Sequence, residues 1–217
     1  MLKIAHRGFS QNFKDNSIES FLGAIKENFD MIELDIQLSK DDIIIINHDI
    51  YKNSKLLIDY TLVECRKEEI ITLLDFFHLI EKNKKDIKVY LDIKGDIACG
   101  IFLYNFLKNH KNILDSKNIY VASFNRETLK PLFKLKKELP INIGFITCSS
   151  YLDNEYDIIL KNYDFLSVCW TVLNERTVNY CKNNNIKIFA FTCENYFILN
   201  YMKKFNIDGI VSNFIFY

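Results

Sequence analysis

Short β-branched, apolar segments alternate along this chain with amphipathic stretches of helical period. The strand-like segments are Leu2–His6, Met31–Gln37, Val89–Ile93, Ile119–Ser123, Ile141–Ile146, Phe165–Cys169, Ile186–Phe191 and Gly209–Ser212. Each of the first seven is followed, directly or after an excursion, by a helical pattern. After the first strand, Asn16 is placed to cap a helix, with Glu19 three residues on, and Ile18, Phe21, Leu22 and Ile25 form its apolar face. Asn125, Asn174 and Asn195 are placed to cap the helices after strands four, six and seven. Strands alternating with helices imply an α/β fold with a parallel sheet. Eight such units in 217 residues favour a closed (β/α)8 TIM-type barrel over an open doubly wound sheet. No GxGxxG follows any strand, which argues against a dinucleotide-binding sheet.

Two irregularities qualify this pattern. Between the second strand and its helix, Asp41 to His48 predict a turn and an added β-segment, and residues 50–71 continue as a short insertion, expected to be a modest cap over an open mouth. Only five residues follow Ser212, so a truncated last helix is expected. The tail 213–217 either crosses the groove between strands eight and one or leaves it to be shared in a homo-oligomer. No Pro/Gly/Ser-rich linker interrupts the chain, so residues 1–217 are expected to form a single domain.

Lys plus Arg and Asp plus Glu are both 28, so the net charge is zero. That balance supplies no basic field for nucleic acid and no polybasic membrane anchor. The N-terminus runs straight into a strand, so no signal peptide is expected, and apolar runs such as Ile43–Ile46 are too short to span a bilayer. The six cysteines show no CxxC spacing; reduced thiols and a cytoplasmic location are expected.

In a parallel barrel the C-terminal ends of the strands converge on one mouth, so polar residues there are candidates for chemistry. Strand one ends in His6–Arg7–Gly8. Strand two carries Glu33 and Asp35, which period-two alternation puts on one face. His48–Asp49 follows the added segment, and strand three carries Asp92 and Lys94. Three carboxylates buried together need a cation, and Glu33, Asp35 and Asp92 are oxygen ligands suited to one divalent cation, Mg2+ or Ca2+. Arg7 and Lys94 can neutralise phosphate oxygens, and His6 and His48 can serve as an acid/base pair. This is a site for attack on an anionic ester.

The strings IAHRGFS, DNSIESFLGAI and DMIELDIQLSKDDIIIINHD resemble the opening of the glycerophosphodiester phosphodiesterase family, with its ordered HRG, E-x-D and HD. The likeness continues through ITLLDFF, LDIK, FAFTCEN and IDGIVSN, and thins between residues 100 and 185. The resemblance implies metal-dependent hydrolysis of small-molecule glycerophosphodiesters to sn-glycerol 3-phosphate and an alcohol. It implies a metal on Glu33, Asp35 and Asp92, acid/base roles for His6 and His48, and phosphate or substrate contacts from Arg7, Asn16, Lys94 and Phe191. Three departures stand out: Asp92 where the family usually has Glu, Phe191 where it has Trp, and Ser212–Asn213 in place of Thr-Asp. Two other readings are kept: a phosphodiesterase for lysophospholipids or phosphoinositides, and an inactive barrel serving as a binding module.

Overall fold

A computed structural model of the chain describes residues 1–83, 86–110 and 118–217. In chain order the strands are β1 Leu2–Ala5, β2 Met31–Leu38, β3 Ile44–Ile46, β4 Tyr51–Lys52, β5 Lys55–Leu56, β6 Lys88–Ile93, β7 Ile119–Ser123, β8 Asn142–Thr147, β9 Phe165–Cys169, β10 Lys187–Cys193 and β11 Gly209–Ser212. The helices are α1 Ile18–Lys26, α2 Leu62–Lys67, α3 Leu73–Asn83, α4 Ile97–Asn109, α5 Arg126–Leu135, α6 Asp153–Ile159, α7 Glu175–Asn183 and α8 Tyr196–Met202. β1, β2 and β6 to β11 form a parallel sheet that closes on itself through β1–β2 and β1–β11. This is the expected barrel, with each expected strand present and its ends displaced by at most two residues.

Alternation along each strand separates two cores. Ile4, Met31, Tyr90, Tyr120, Phe165 and Phe189 point inward and fill the lower barrel with interlocked rings. Gly144 faces that layer because a Cβ there would overlap the Phe165 ring. Ile32, Leu34 and Ile36 point outward and are fully buried under the helices. Asn125, Asn174 and Asn195 cap α5, α7 and α8 as expected, each accepting a backbone N–H and contributing roughly 0.5–2 kcal/mol.

Three local expectations are corrected. Ser17, not Asn16, caps α1, in a reciprocal box with Ser20, and this frees Asn16 for the site. α1 also turns a different face inward. Phe21, Ala24 and Ile25 are buried, but Ile18 and Leu22 are exposed, because the small Ser20 and Gly23 are needed where the helix meets the segment after β1. The insertion is more than a modest cap. β3 pairs antiparallel with the end of β2, a β4–β5 hairpin follows, and Ile45, Leu57, Tyr60, Cys65 and Ile70 form a small core of their own.

Phe214 and Phe216 are buried within the chain, and Phe214 packs on Tyr196 of α8, so the tail itself fills the groove. Among the described residues no helix is long and apolar enough to cross a membrane.

Candidate active site

The chain leaves β1 through a left-handed pair, Arg7 (φ 55°) and Gly8 (φ 79°). Only glycine fits at the second position, since a Cβ there would overlap the side chain and backbone of Ser20. The turn carries the Arg7 amide onto Glu33 Oε2 at 2.8 Å and leaves His6 at the barrel mouth. Ala5 is in register with Ser212, so the next residues, His6 and Asn213, stand side by side, with Nδ1 of His6 2.6 Å from Asn213 Oδ1. An amide oxygen can only accept, so His6 carries its proton on Nδ1 and leaves Nε2 as an acceptor. Burial, reinforced by Arg7, lowers the pKa of this ring to about 4, against the pull of the Asn213 bond.

Glu33 and Asp35 point inward from β2, and Asp35 is in register with Asp92 on β6. All three are buried, and ligand atoms of the three lie within 4.8 Å of one another. Lys94 Nζ bridges Asp92 (2.6 Å) and Asp35 (3.1 Å), and Arg7 Nε lies 3.2 Å from Asp35 Oδ2. Asn16, left-handed at φ 54°, donates to the same Asp35 oxygen at 2.9 Å. Burial pushes Asp35 up, but Lys94, Arg7 and the Asn16 bond outweigh it and hold the carboxyl below its ordinary range. Glu33 is driven well up by burial and by the charges of Asp35 and Asp92. Asp92 is pushed up to about 6, by burial first and with Asp35 beside it, against the pull of Lys94. Asp92 Oδ1 is buried with no hydrogen-bond partner. An orphaned carboxylate oxygen within an all-oxygen triad fits a hard divalent cation, which would satisfy it and offset the crowding.

His48 is brought in by the insertion. Gln37 Nε2 donates to the carbonyls of Asn47 (2.7 Å) and Asp49 (2.9 Å), pinning this loop to β2. His48 Nδ1 lies 2.9 Å from Asp49 Oδ1, which fixes the ring by that nitrogen. The facing wall is apolar: Phe191 and Phe124 meet edge to face at 6.0 Å, and Lys94 Nζ lies 5.7 Å from the Phe124 centroid.

His6, Arg7, Glu33, Asp35, His48, Asp92, Lys94 and Phe191 all line one cavity of ≈ 130 Å³. Asn16, the remaining candidate from the sequence, stands behind Asp35. The Arg7 guanidinium goes to Asp35 and Asp15 rather than to Glu33, which it meets only through its backbone. Ser123 does not line the cavity; its hydroxyl is used on the carbonyl of Ile93. Trp170 likewise packs on Tyr201. Asn213 and Tyr90 were missed as site residues. Tyr90 could have been found by alternation from Asp92. Asn213 stood out only as part of the Ser212–Asn213 departure, and its contact with His6 is legible only once β1 is known to pair with β11.

The family model for the glycerophosphoryl diester phosphodiesterase family matches residues 6–216. The chain belongs to this family. As a glycerophosphodiester phosphodiesterase it is an enzyme, a phosphoric diester hydrolase. It is 29% identical to a glycerophosphodiester phosphodiesterase of Caldanaerobacter subterraneus subsp. tengcongensis, over 98% of this chain and 93% of that one. It is 22% identical to a glycerophosphodiester phosphodiesterase of Bacillus subtilis, over 99% of this chain and 84% of the other. The same fold is seen in an Oleispira antarctica phosphodiesterase solved with its product sn-glycerol 3-phosphate (TM-score 0.84, 21% identity, 99% of this chain and 93% of that one).

Proposed function

We propose that this phosphodiesterase hydrolyses glycerophosphodiesters to sn-glycerol 3-phosphate and an alcohol, using one divalent cation and His6 and His48 as its acid/base pair. The observation that carries the reading is the shared cavity: two histidines, two cations and a buried carboxylate triad with an orphaned oxygen all face it. Glu33, Asp35 and Asp92 would hold Mg2+ or Ca2+. When bound, that cation neutralises phosphoryl oxygens and makes an attacking hydroxyl more acidic.

The remaining work falls to the chain's own side chains. Arg7 and Lys94 hold the phosphate, and the Phe124–Phe191 wall takes the glycerol carbons. His6, unprotonated at neutral pH, takes the proton of the attacking oxygen on Nε2. That oxygen belongs to the glycerol 2-hydroxyl, through a cyclic phosphate that water opens, or to water directly. His48, steadied by Asp49, gives a proton to the leaving alcohol. Free cysteines, most of them buried, suit a cytoplasmic setting.

The direct test is release of glycerol 3-phosphate from glycerophosphocholine and glycerophosphoethanolamine with Mg2+, Ca2+ or EDTA. Release with a divalent cation and none with EDTA is expected; release that is unchanged in EDTA would remove the cation from the reaction. A second measurement reads the triad without turnover. Burial and the charges of Asp35 and Asp92 raise the Glu33 pKa well above its ordinary value, so cation uptake by the triad should be accompanied by proton release. The calorimetric binding enthalpy should then vary with the buffer's ionisation enthalpy. Affinity should fall further below pH 6, where Asp92 also takes up a proton. A slope of zero at pH 7 and again near pH 6 would show that cation binding displaces no proton from the triad.

A further inference from the structure

Cys148 and Cys169 stand apart from the other cysteines of the chain. Cys65, Cys99, Cys181 and Cys193 are buried, whereas Cys148 is exposed and Cys169 half-buried. Burial pushes the Cys99 and Cys181 thiols up to about 12, which leaves them inert at neutral pH. The two accessible cysteines are distant in sequence and meet in the sheet. β8 and β9 run parallel with Thr147 opposite Val168, so the next residues, Cys148 and Cys169, are neighbours. Adjacent strands lie about 4.8 Å apart, inside the Cα separation of about 4.4–6.8 Å that a disulfide spans.

Alternation puts both side chains on the face of Ile146 and Ser167, which line the catalytic cavity. The thiols meet directly: burial first, then the Cys169 thiol beside it and a hydrogen bond to that thiol, raises the pKa of Cys148. Cys148 lies just past the last paired residue of β8, where the chain can make the small adjustment a bond requires. Among the described residues no third ligand atom joins the two sulfurs to complete a metal site. In the barrel β8 and β9 stand between β7 and β10, whose ends carry Phe124 and Phe191, and Phe191 is in register with Cys169. The pair is therefore part of the mouth's apolar side, away from the carboxylates of β2 and β6.

We propose that Cys148 and Cys169 are a redox-modifiable dithiol, closed to a disulfide between β8 and β9 by exchange with a small-molecule disulfide such as oxidised glutathione. One thiolate attacks the oxidant's S–S bond and expels one small thiol, leaving a mixed disulfide. The second thiolate attacks the protein sulfur of that mixed disulfide and expels the other small thiol. The cysteine pair gives up two electrons and two protons, and the oxidant carries them away as two thiols. A reducing compartment keeps the pair open; excess oxidant closes it.

The test treats the folded protein with excess oxidised glutathione at about pH 8.5, where a usable share of thiol is ionised. Trypsin cuts after Lys161, between the two cysteines, so peptide mapping without reduction reads the bond. The Cys148 and Cys169 peptides should be found joined, and dithiothreitol should separate them. In Cys148→Ser protein the cross-link should vanish, and Cys169 should keep glutathione as a stable mixed disulfide. Glutathione on both wild-type cysteines, or both left unmodified, would overturn the proposal. Thermal unfolding tells closure in the native barrel from bridging of unfolded chain. A native bridge restricts the unfolded chain, so the oxidised protein should melt about 5 °C or more above the reduced one. That difference should be absent in Cys148→Ser. An equal or lower Tm would show that the native mouth does not accommodate the bond, which also overturns the proposal. Both readouts are independent of turnover.

Discussion

His6→Ala is expected to lower kcat on glycerophosphocholine about 10³-fold, within the range that a positioned general base contributes, with KM nearly unchanged. The ring makes one side-chain hydrogen bond, from Nδ1 to Asn213, and lines the cavity rather than the packed core, so its loss should leave the barrel intact by circular dichroism. Because burial holds its pKa near 4, the ring stays an acceptor across the neutral range. The acid limb of kcat/KM that belongs to His6 therefore lies well below pH 6. A His6→Ala protein retaining more than about a tenth of wild-type kcat would give the proton-accepting role to another group.

Asp35→Ala is expected to cost both activity and stability. One buried carboxylate is met by Lys94 at 3.1 Å, Arg7 at 3.2 Å and the Asn16 amide at 2.9 Å. Removing it leaves Lys94 with Asp92 alone, Arg7 with the exposed Asp15 alone, and the Asn16 amide without its acceptor. Breaking a buried ion pair from one side costs about 3–5 kcal/mol; Lys94 and Arg7 keep some contact with solvent, which puts the loss near the lower end, about 3 kcal/mol in urea unfolding. Activity should fall at least about 10³-fold as the proposed cation site loses one of its three carboxylates.

Glu33→Gln provides the contrast. The folded pKa of Asp35 is depressed, so its contribution is present above the unfolded value near pH 3.9 and is lost as pH falls through the folded pKa. The folded pKa of Glu33 is raised, so the metal-free protein loses stability as pH rises from about 4.3 toward that folded value. At pH 7 the metal-free Glu33→Gln protein should be as stable as wild type or more so, while Asp35→Ala is less stable. A comparable loss in both variants would mean that the triad is simply packing.

These opposite expectations arise from two carboxylates two residues apart on one strand face, and that placement was readable from the chain. Apolar Ile32, Leu34 and Ile36 between and around Glu33 and Asp35 dictate which face is covered by helices and which looks inward. The β-branched runs, the Asn residues ahead of three helices and the ordered HRG, E-x-D and HD determined in the same way the barrel, most of its caps and the candidate site. All are patterns a few residues long, set by local backbone geometry.

What the tertiary structure alone decided involves residues far apart in sequence. The Asn213–His6 contact spans 207 positions and exists because the sheet closes, which no local period reports. Asn16 reads equally well as a helix cap or a site residue; Ser17 takes the cap, and the left-handed turn at Asn16 aims its amide at Asp35. The hairpin after His48 looks like a short cap, yet its own small core turns Ile50, Leu56 and Ile58 outward along a groove beside Lys94. Periodicity determines which face of a strand or helix is apolar. Which distant face it meets depends on closure and packing, and at this barrel's mouth those set the environment of His6, the partners of Asp35 and the exposed face of the insertion.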